Sequence, residues 1–315
     1  MRIVYMGSAE FGIPALQKLQ ENGHTIAGIV STPARPQRRG LKLIDSPITL
    51  YAREHNLGPV FTPESLKSDE FAARLAELHA DIFVVVAFRI LPPAIFLLPK
   101  FGTVNIHASL LPQFRGPAPI QRTIANGAHE SGVTVFRIDE GVDTGMVMVQ
   151  KKTAVGDLET TPELYNRLSI LGADALIEAL DGLEHGHTSF IPQNAAQATP
   201  APKLTKDEGC IDWNLPAKVI FNRIRAFKPF PGTYTFLNGM RIGVEWALPA
   251  DADDSGHAPG TLCAYSEAGF YVQCKGSRLN IISVKPEGKK TMSALAFIQG
   301  RHCEPGTKFD AAPVT

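Results

Sequence analysis

Residues 104–116, read Val-Asn-Ile-His-Ala-Ser-Leu-Leu-Pro-Gln-Phe-Arg-Gly, set an amide and an imidazole two positions apart. In an extended chain alternate side chains share a face, so Asn105 and His107 point one way while Val104 and Ile106 point the other. An amide is a fixed hydrogen-bond donor, and an imidazole carries or moves a proton near pH 7, so the two make a catalytic pair. The same two residues would serve equally well in a core strand, satisfying backbone groups. Pro112 then forbids a ladder donor, and Gly116-Pro117 marks a sharp loop before the next helix. A strand that ends in polar groups and runs into a loop is where open α/β sheets hold their ligands.

A second polar constellation lies at 138–145, Ile-Asp-Glu-Gly-Val-Asp-Thr-Gly, where three acids flank two glycines. Asp143, hemmed by Val142 and Thr144-Gly145, is the carboxylate placed to point inward. The alternative is that all three acids are solvated turn residues. An Asp brought beside His107 would orient the ring and favour its charged form. A third feature is the stretch 31–43, with two prolines, a glycine and the cations Arg35, Arg38, Arg39 and Lys42, and no acid before Asp45. This reads as a long, stiffened, positive loop rather than a regular element. It is either a solvated surface or a contact to a phosphate backbone.

The elements that must carry these residues alternate in kind. Strands are expected at 2–6, 25–30, 60–61, 81–87, 102–107 and 133–138. Helices are expected from the 7–12 turn onward, at 46–56, around Phe71, Leu75 and Leu78, and at 117–126. Residues 81–87 are almost continuously apolar, as a central parallel strand covered on both faces should be. Such alternation predicts a doubly wound, mostly parallel, Rossmann-like α/β sheet. The glycines after the first strand lack G-x-G-x-x-G spacing, and no acid follows the second strand, so a nicotinamide site fits poorly. Thr160-Thr161-Pro162-Glu163 opens a long helix, either as a capping box from Thr160 or with Pro162 at the first helical position.

Residues 191–207 are rich in Pro and Ala and read as an extended linker between a catalytic region, 1–190, and a second domain, 208–315. The second domain holds a helix at 217–227 and five short strands at 233–237, 241–248, 260–265, 269–275 and 278–284. Five strands in so short a span favour a small OB-like β-barrel. Lys285, Lys289 and Lys290 add cations at one end of it.

The chain has 315 residues, 44% hydrophobic and 20% charged, with a formal net charge of +0. That is an ordinary globular composition with no global polybasic field. No apolar run reaches the ~18 residues of a membrane span. Four cysteines in the last third, without C-x-x-C spacing, argue against a metal site or disulfide framework and for reduced thiols in the cytoplasm.

Asn105-x-His107-x-Ser109-Leu110-Leu111-Pro112 with the later Asp143-x-Gly145 resembles the signature of the folate-dependent formyltransferases. Along essentially its full length the chain is most similar to the branch of that family that acts on methionyl-tRNA. Supporting stretches are 6–11, 35–43, 115–120, 203–206, 211–213, 224–227 and 286–290. The resemblance implies transfer of a formyl group from 10-formyltetrahydrofolate to the amine of methionine esterified to initiator tRNA, without a metal. It implies a catalytic group of Asn105, His107 and Asp143. Ser109, Leu110, Leu111 and Pro112 would line the tetrahydrofolate site, with Phe88, Ile90 and Leu91 in a turn that offers backbone contacts to the pterin. Arg35, Arg38, Arg39 and Lys42 would reach the acceptor stem of the tRNA, and the barrel would grip more of its backbone. We expect a cytoplasmic monomer with no membrane association.

Two departures stand out. The turn at 87–92 reads Ala-Phe-Arg-Ile-Leu-Pro where many relatives carry Ala-Tyr-Gly-x-Ile-Leu-Pro, and Leu41 stands where relatives often keep a second basic residue. Alternatives are a sugar-nucleotide amine N-formyltransferase and a non-catalytic tRNA-binding protein with a vestigial folate site. If the basic loop grips phosphates, replacing Arg38 and Arg39 by Ala raises KM for tRNA and flattens its salt dependence. An unchanged salt slope would move the footprint elsewhere.

Overall fold

The computed structural model describes residues 1–37, 42–251 and 256–311. The chain divides into two compact units. One comprises Met1–Pro119, Glu130–Ala154 and Leu164–Pro202, the other Ile120–His129, Val155–Glu163 and Lys203–Thr315.

Elements run β1 (Arg2–Gly7), α1 (Ile13–Glu21), β2 (Thr25–Val30), β3 (Arg35–Gln37), β4 (Lys42–Ile44), α2 (Pro47–Glu54), β5 (Val60–Phe61), α3 (Asp69–Ala76), β6 (Ile82–Val86), α4 (Pro93–Phe96), β7 (Thr103–His107), α5 (Pro119–Ala125), β8 (Glu130–Arg137), β9 (Val147–Ala154) and α6 (Thr161–Glu184). The first unit is built on a sheet of order β5-β2-β1-β6-β7-β8-β9. The first four pairings are parallel, and β8 and β9 add antiparallel ones. Every residue of β6 is buried, because both faces of the sheet are covered. Val4, Met6, Phe83 and Val85 pack on one face with Phe71 and Leu75 of α3 and with Ile95 and Phe96 of α4.

Helix starts follow local chemistry. Ser46 accepts a bond from the N–H of Thr49 at the head of α2, and Ser68 accepts from Phe71 at the head of α3. At α6 the sequence left two readings open. Glu163 accepts from the N–H of Thr160 at 2.7 Å, the return half of a capping box, and Pro162 is the second helical residue.

The stretch around Arg35 is not devoid of regular structure: β3 and β4 pair as an antiparallel ribbon, with Pro36 opposite Leu43. Half the N–H groups of a two-stranded ribbon face outward, so a proline is tolerated there. Residues 38–41, Arg38 and Arg39 among them, lie outside the described residues. Strand β9, for which no element was expected, alternates buried and exposed positions beside β8. Residues 191–202 have the composition of a linker, yet Val147 and Ile191 exchange backbone bonds, and 199–201 bond to residues around Arg115.

The second unit continues with α7 (Ala217–Ala226), β10 (Thr233–Leu237), β11 (Met240–Ala250), β12 (Leu262–Tyr265), β13 (Phe270–Cys274), β14 (Ser277–Pro286), β15 (Met292–Ser293) and α8 (Ala294–Arg301). Its antiparallel sheet has the order β10-β11-β14-β13-β12, with β15 on β14. Asp310 bridges to Phe236 on one edge strand, and Lys308 bridges to Thr261 at the other. One segment therefore bonds to both edges of the five expected strands, which leaves less of either edge unpaired. Ile220, Phe221 and Ile224 of α7 and Phe297 and Ile298 of α8 pack in the core with Ile242, Val272 and Ile281. Among the described residues no helix is long and apolar enough to cross a membrane.

Arg122 of α5 forks onto Glu208 at 2.5 and 3.0 Å, and the same carboxylate accepts the N–H of Thr205. Above all the bonds from Arg122, and then the bond from Thr205, hold the carboxyl below its ordinary value against partial burial. A depressed carboxylate stabilises the fold above its unfolded pKa and loses that contribution as pH falls through the folded one. Glu208→Gln should therefore cost about 1 kcal/mol at neutral pH, after allowance for solvent screening, and the difference should vanish in acid. Thermal melts of both proteins at neutral and acidic pH check this.

Candidate active site

Strands β1, β2, β6 and β7 run parallel, so the segments that follow them leave from one edge of the sheet. From β1 the order grows first to β2 and β5, then reverses to β6 and β7, so the switch point lies between β1 and β6. Ser8, just after β1, donates its hydroxyl to the carbonyl of Ala87, just after β6, at 3.1 Å across that point.

His107 ends β7 and is buried at 7% exposure. Its Nε2 lies 2.8 Å from the carbonyl oxygen of Phe114. A carbonyl only accepts, so Nε2 carries a proton, which leaves Nδ1 facing Asp143. Nδ1 stands 3.7 Å from Asp143 Oδ2. This is ion-pair range but too long for a hydrogen bond, so Nδ1 is not committed to a protein partner. Asp143 is held independently: Oδ2 accepts the N–H of Gly116 at 2.8 Å. Asn105 shares the face of His107 and is half-buried, and its amide makes no hydrogen bond among the described residues. An amide donor beside an imidazole–carboxylate pair can stabilise negative charge developing at a carbonyl oxygen.

The three acids of 138–145 take different roles. Asp139 accepts from the N–H of Gly141 and the hydroxyl of Thr144 and so shapes the turn. Glu140 is exposed, and Asp143 points in with φ 54°. At Gly145 a Cβ would lie 1.7 Å from the carbonyl oxygen of Arg137, so only glycine lets the loop pass there.

Ser109 and Leu111 are buried, and Leu110 and Pro112 are half-buried. Ser109 donates to the carbonyl of Gln113 at 2.6 Å. Thr134, paired opposite His107, accepts from the N–H of Leu111 and donates to the carbonyl of Ser109. The Gln150 amide reaches the Leu111 carbonyl at 2.7 Å. In the 87–92 turn Phe88 is half-buried, Ile90 is exposed and Leu91 is buried. Among the described residues the backbone N–H and C=O groups of 88–91 bond to nothing. Arg89 braces this turn by donating to the carbonyls of Pro63 and Glu64. Burial lowers its guanidinium below the ordinary value; Glu64 opposes that shift and Arg35 adds to it. Arg35 is exposed on β3. Arg38 and Arg39 lie outside the described residues, as does the side chain of Lys42.

Two further side chains touch the site. Arg115 donates to Gln193 Oε1 from Nε at 3.1 Å and Nη2 at 2.6 Å. Gln193 in turn donates to the carbonyls of Asp143 at 3.0 Å and Gly145 at 2.8 Å. A glutamine in a Pro- and Ala-rich stretch has no periodic signature, so only its place in space marks it. Among the described residues no group of three or more His, Cys, Asp or Glu could hold a metal ion.

The formyl transferase domain matches residues 1–180, and the formyl transferase C-terminal domain matches 203–302. The chain belongs to the formyl transferase family. It is 38% identical to a methionyl-tRNA formyltransferase of Geobacter metallireducens, over 98% of both chains. It is 41% identical to the protein of that name from Moorella thermoacetica, over 97% of this chain and 98% of the other. Among solved structures it shares the fold of an N-formyltransferase from Helicobacter canadensis in complex with folinic acid and dTDP-3-aminofucose. That match has a TM-score of 0.66 and 17% identity, over 89% of this chain and 98% of the other. HypX from Aquifex aeolicus, in complex with tetrahydrofolic acid, gives a TM-score of 0.60 and 17% identity, over 95% of this chain and 47% of that one.

Proposed function

We propose that this enzyme transfers the formyl group of 10-formyltetrahydrofolate to the amino group of methionyl initiator tRNA, with Asn105, His107 and Asp143 as the catalytic group. One observation carries the site assignment: a half-buried amide that has no hydrogen-bond partner among the described residues shares a strand face with an imidazole whose Nδ1 faces a carboxylate at 3.7 Å. The near-full-length relatives that act on methionyl-tRNA supply the substrate class.

The donor fits the residues present. The free N–H and C=O groups of 88–91 match the amide-like edge of a pterin, and exposed Ile90 and half-buried Phe88, Leu110 and Pro112 offer apolar wall. Buried Leu91, Ser109 and Leu111 support that wall from behind. The folate supplies an activated formyl group, and the chain supplies the rest. Asn105 donates its amide N–H to the formyl oxygen as the amine attacks. His107 turns its Nδ1 edge toward that oxygen, with the Asp143 carboxylate at 3.7 Å beside it. A preorganised donor of this kind is worth about 3 kcal/mol of transition-state stabilisation. Asp143 also accepts the proton that the attacking amine must lose, directly or through one water. The new carbon–nitrogen bond forms at the amine, the bond from the formyl carbon to the donor nitrogen breaks, and the proton that Asp143 took from the amine passes, directly or through water, to that departing nitrogen.

Arg35, Arg38, Arg39 and Lys42 meet the acceptor stem in this reading. Chemistry is assigned to 1–190 and the tRNA backbone grip to 208–315, with 191–207 between, in a cytoplasmic monomer. The sugar-nucleotide alternative shares the fold at much lower identity. Assays with initiator Met-tRNA, elongator Met-tRNA and an amino-sugar nucleotide test the proposal. Rapid formylation of the initiator substrate alone is expected, and an Asn105→Ala, His107→Ala double variant should lose at least ~1,000-fold in rate. Formylation of the sugar, or a double variant at the wild-type rate, would overturn the reading.

A further inference from the structure

We infer that Gln193 is a positioning residue for Asp143, oriented by Arg115; this rests on the formyl-transfer reading and extends it to a side chain outside both chemical motifs. The Gln193 amide is used to capacity. Asp143 and Gly145 present carbonyls, which only accept, so the amide nitrogen faces them at 3.0 and 2.8 Å. Arg115 only donates, so the amide oxygen faces its guanidinium at 3.1 and 2.6 Å. No flipped arrangement satisfies the same partners.

The contacts form a closed ring. The Phe114 carbonyl accepts the hydrogen bond of His107 Nε2. Arg115, next in the chain, holds Gln193. Gly116, next again, gives its N–H to Asp143 Oδ2. Gln193 returns to the backbone of Asp143 and completes the circuit. Three consecutive residues thus touch the imidazole, the clamp and the carboxylate in turn. The run 114–116 is itself pinned, since Arg115 exchanges backbone bonds with Thr199 at 2.9 Å and Ala201 at 2.6 Å.

Asp143 needs such a clamp. Its φ of 54° is left-handed, a conformation in which Asp is enriched over most residues but which stays uncommon, so bonds from outside the residue help to hold it. Loop 139–146 carries internal bonds from Asp139, but these shape the turn and do not fix it to the sheet edge. Gln193 supplies two bonds to that loop from outside it. Without them Oδ2 is anchored by the single bond from Gly116, and its distance from Nδ1 becomes variable.

Gln193→Glu is the sharpest probe. It keeps the size and the acceptor for Arg115 but removes both N–H donors and sets a carboxylate against two carbonyls. The expected result is a kcat lower by about 10- to 100-fold with KM for folate and tRNA changed less than ~2-fold, because a misplaced group costs the transition state rather than ground-state binding. Hydrogen exchange of amides 139–146 should rise at least ~10-fold as the loop opens more often. In an Asp143→Asn background the same change should alter kcat less than ~2-fold, since a residue acting through Asp143 has nothing left to position. Should Gln193→Glu not fold, Gln193→Met lacks the same donors at similar size. Unchanged exchange, or an equal loss of kcat in both backgrounds, would overturn the clamp. A wild-type protein unable to formylate methionyl-tRNA would sink the functional reading instead, while the exchange measurement would still decide the clamp.

Discussion

The site depends on an imidazole and a carboxylate that are placed side by side without bonding to each other. His107 comes from the end of β7 and Asp143 from the loop between β8 and β9, and both are held by main-chain groups of one turn. Had Nδ1 and Oδ2 met at hydrogen-bond distance, the pair would satisfy itself and offer less to a third atom. At 3.7 Å the ring and the carboxylate stand in ion-pair range without a hydrogen bond, so the Nδ1 edge of the ring is left open toward a third atom. The surrounding structure serves that spacing: Thr134 and Gln150 brace residues 109–111 from the neighbouring strands, and residues 199–201 back the turn at 114–116.

The sheet explains why the pair sits where it does. Parallel strands send their following segments to one edge, and the reversal of order between β1 and β6 keeps those segments from closing over it. The turn after β6 is held by Ser8, which bonds to the carbonyl of Ala87, and by the Arg89 side chain, while among the described residues the backbone groups of 88–91 stay unbonded. Buried backbone groups are normally paired, so a rigid turn with free donors and acceptors is suited to a ligand that presents complementary edges.

Much of this was legible in the sequence because the signals were periodic. Alternation placed Asn105 and His107 on one face, an apolar run located β6, and five short strands marked the C-terminal sheet. The inward turn of Asp143 has no periodic signature; it is held by the N–H of Gly116 and by the Gln193 amide, contacts made only in space. What stayed hidden was set by tertiary pairing. Strand β9 exists because β8 offers it an edge, and the ribbon of β3 and β4 forms despite Pro36 because its outer N–H groups need no partner. Gln193 lies in a stretch whose prolines and alanines suggested only a connection, and its importance resides in four polar contacts to residues 48 to 78 positions away.

The central claim is that Asp143, His107 and Asn105 act as one unit at the formyl oxygen. Single-turnover formyl transfer by Asp143→Asn, alongside direct measurement of folate and methionyl-tRNA binding, tests it most directly. The account predicts a chemical step slowed by about 100-fold or more with both affinities preserved, since the carboxylate acts on the charge of the ring and the proton of the amine. A chemical rate within a few-fold of wild type would contradict it.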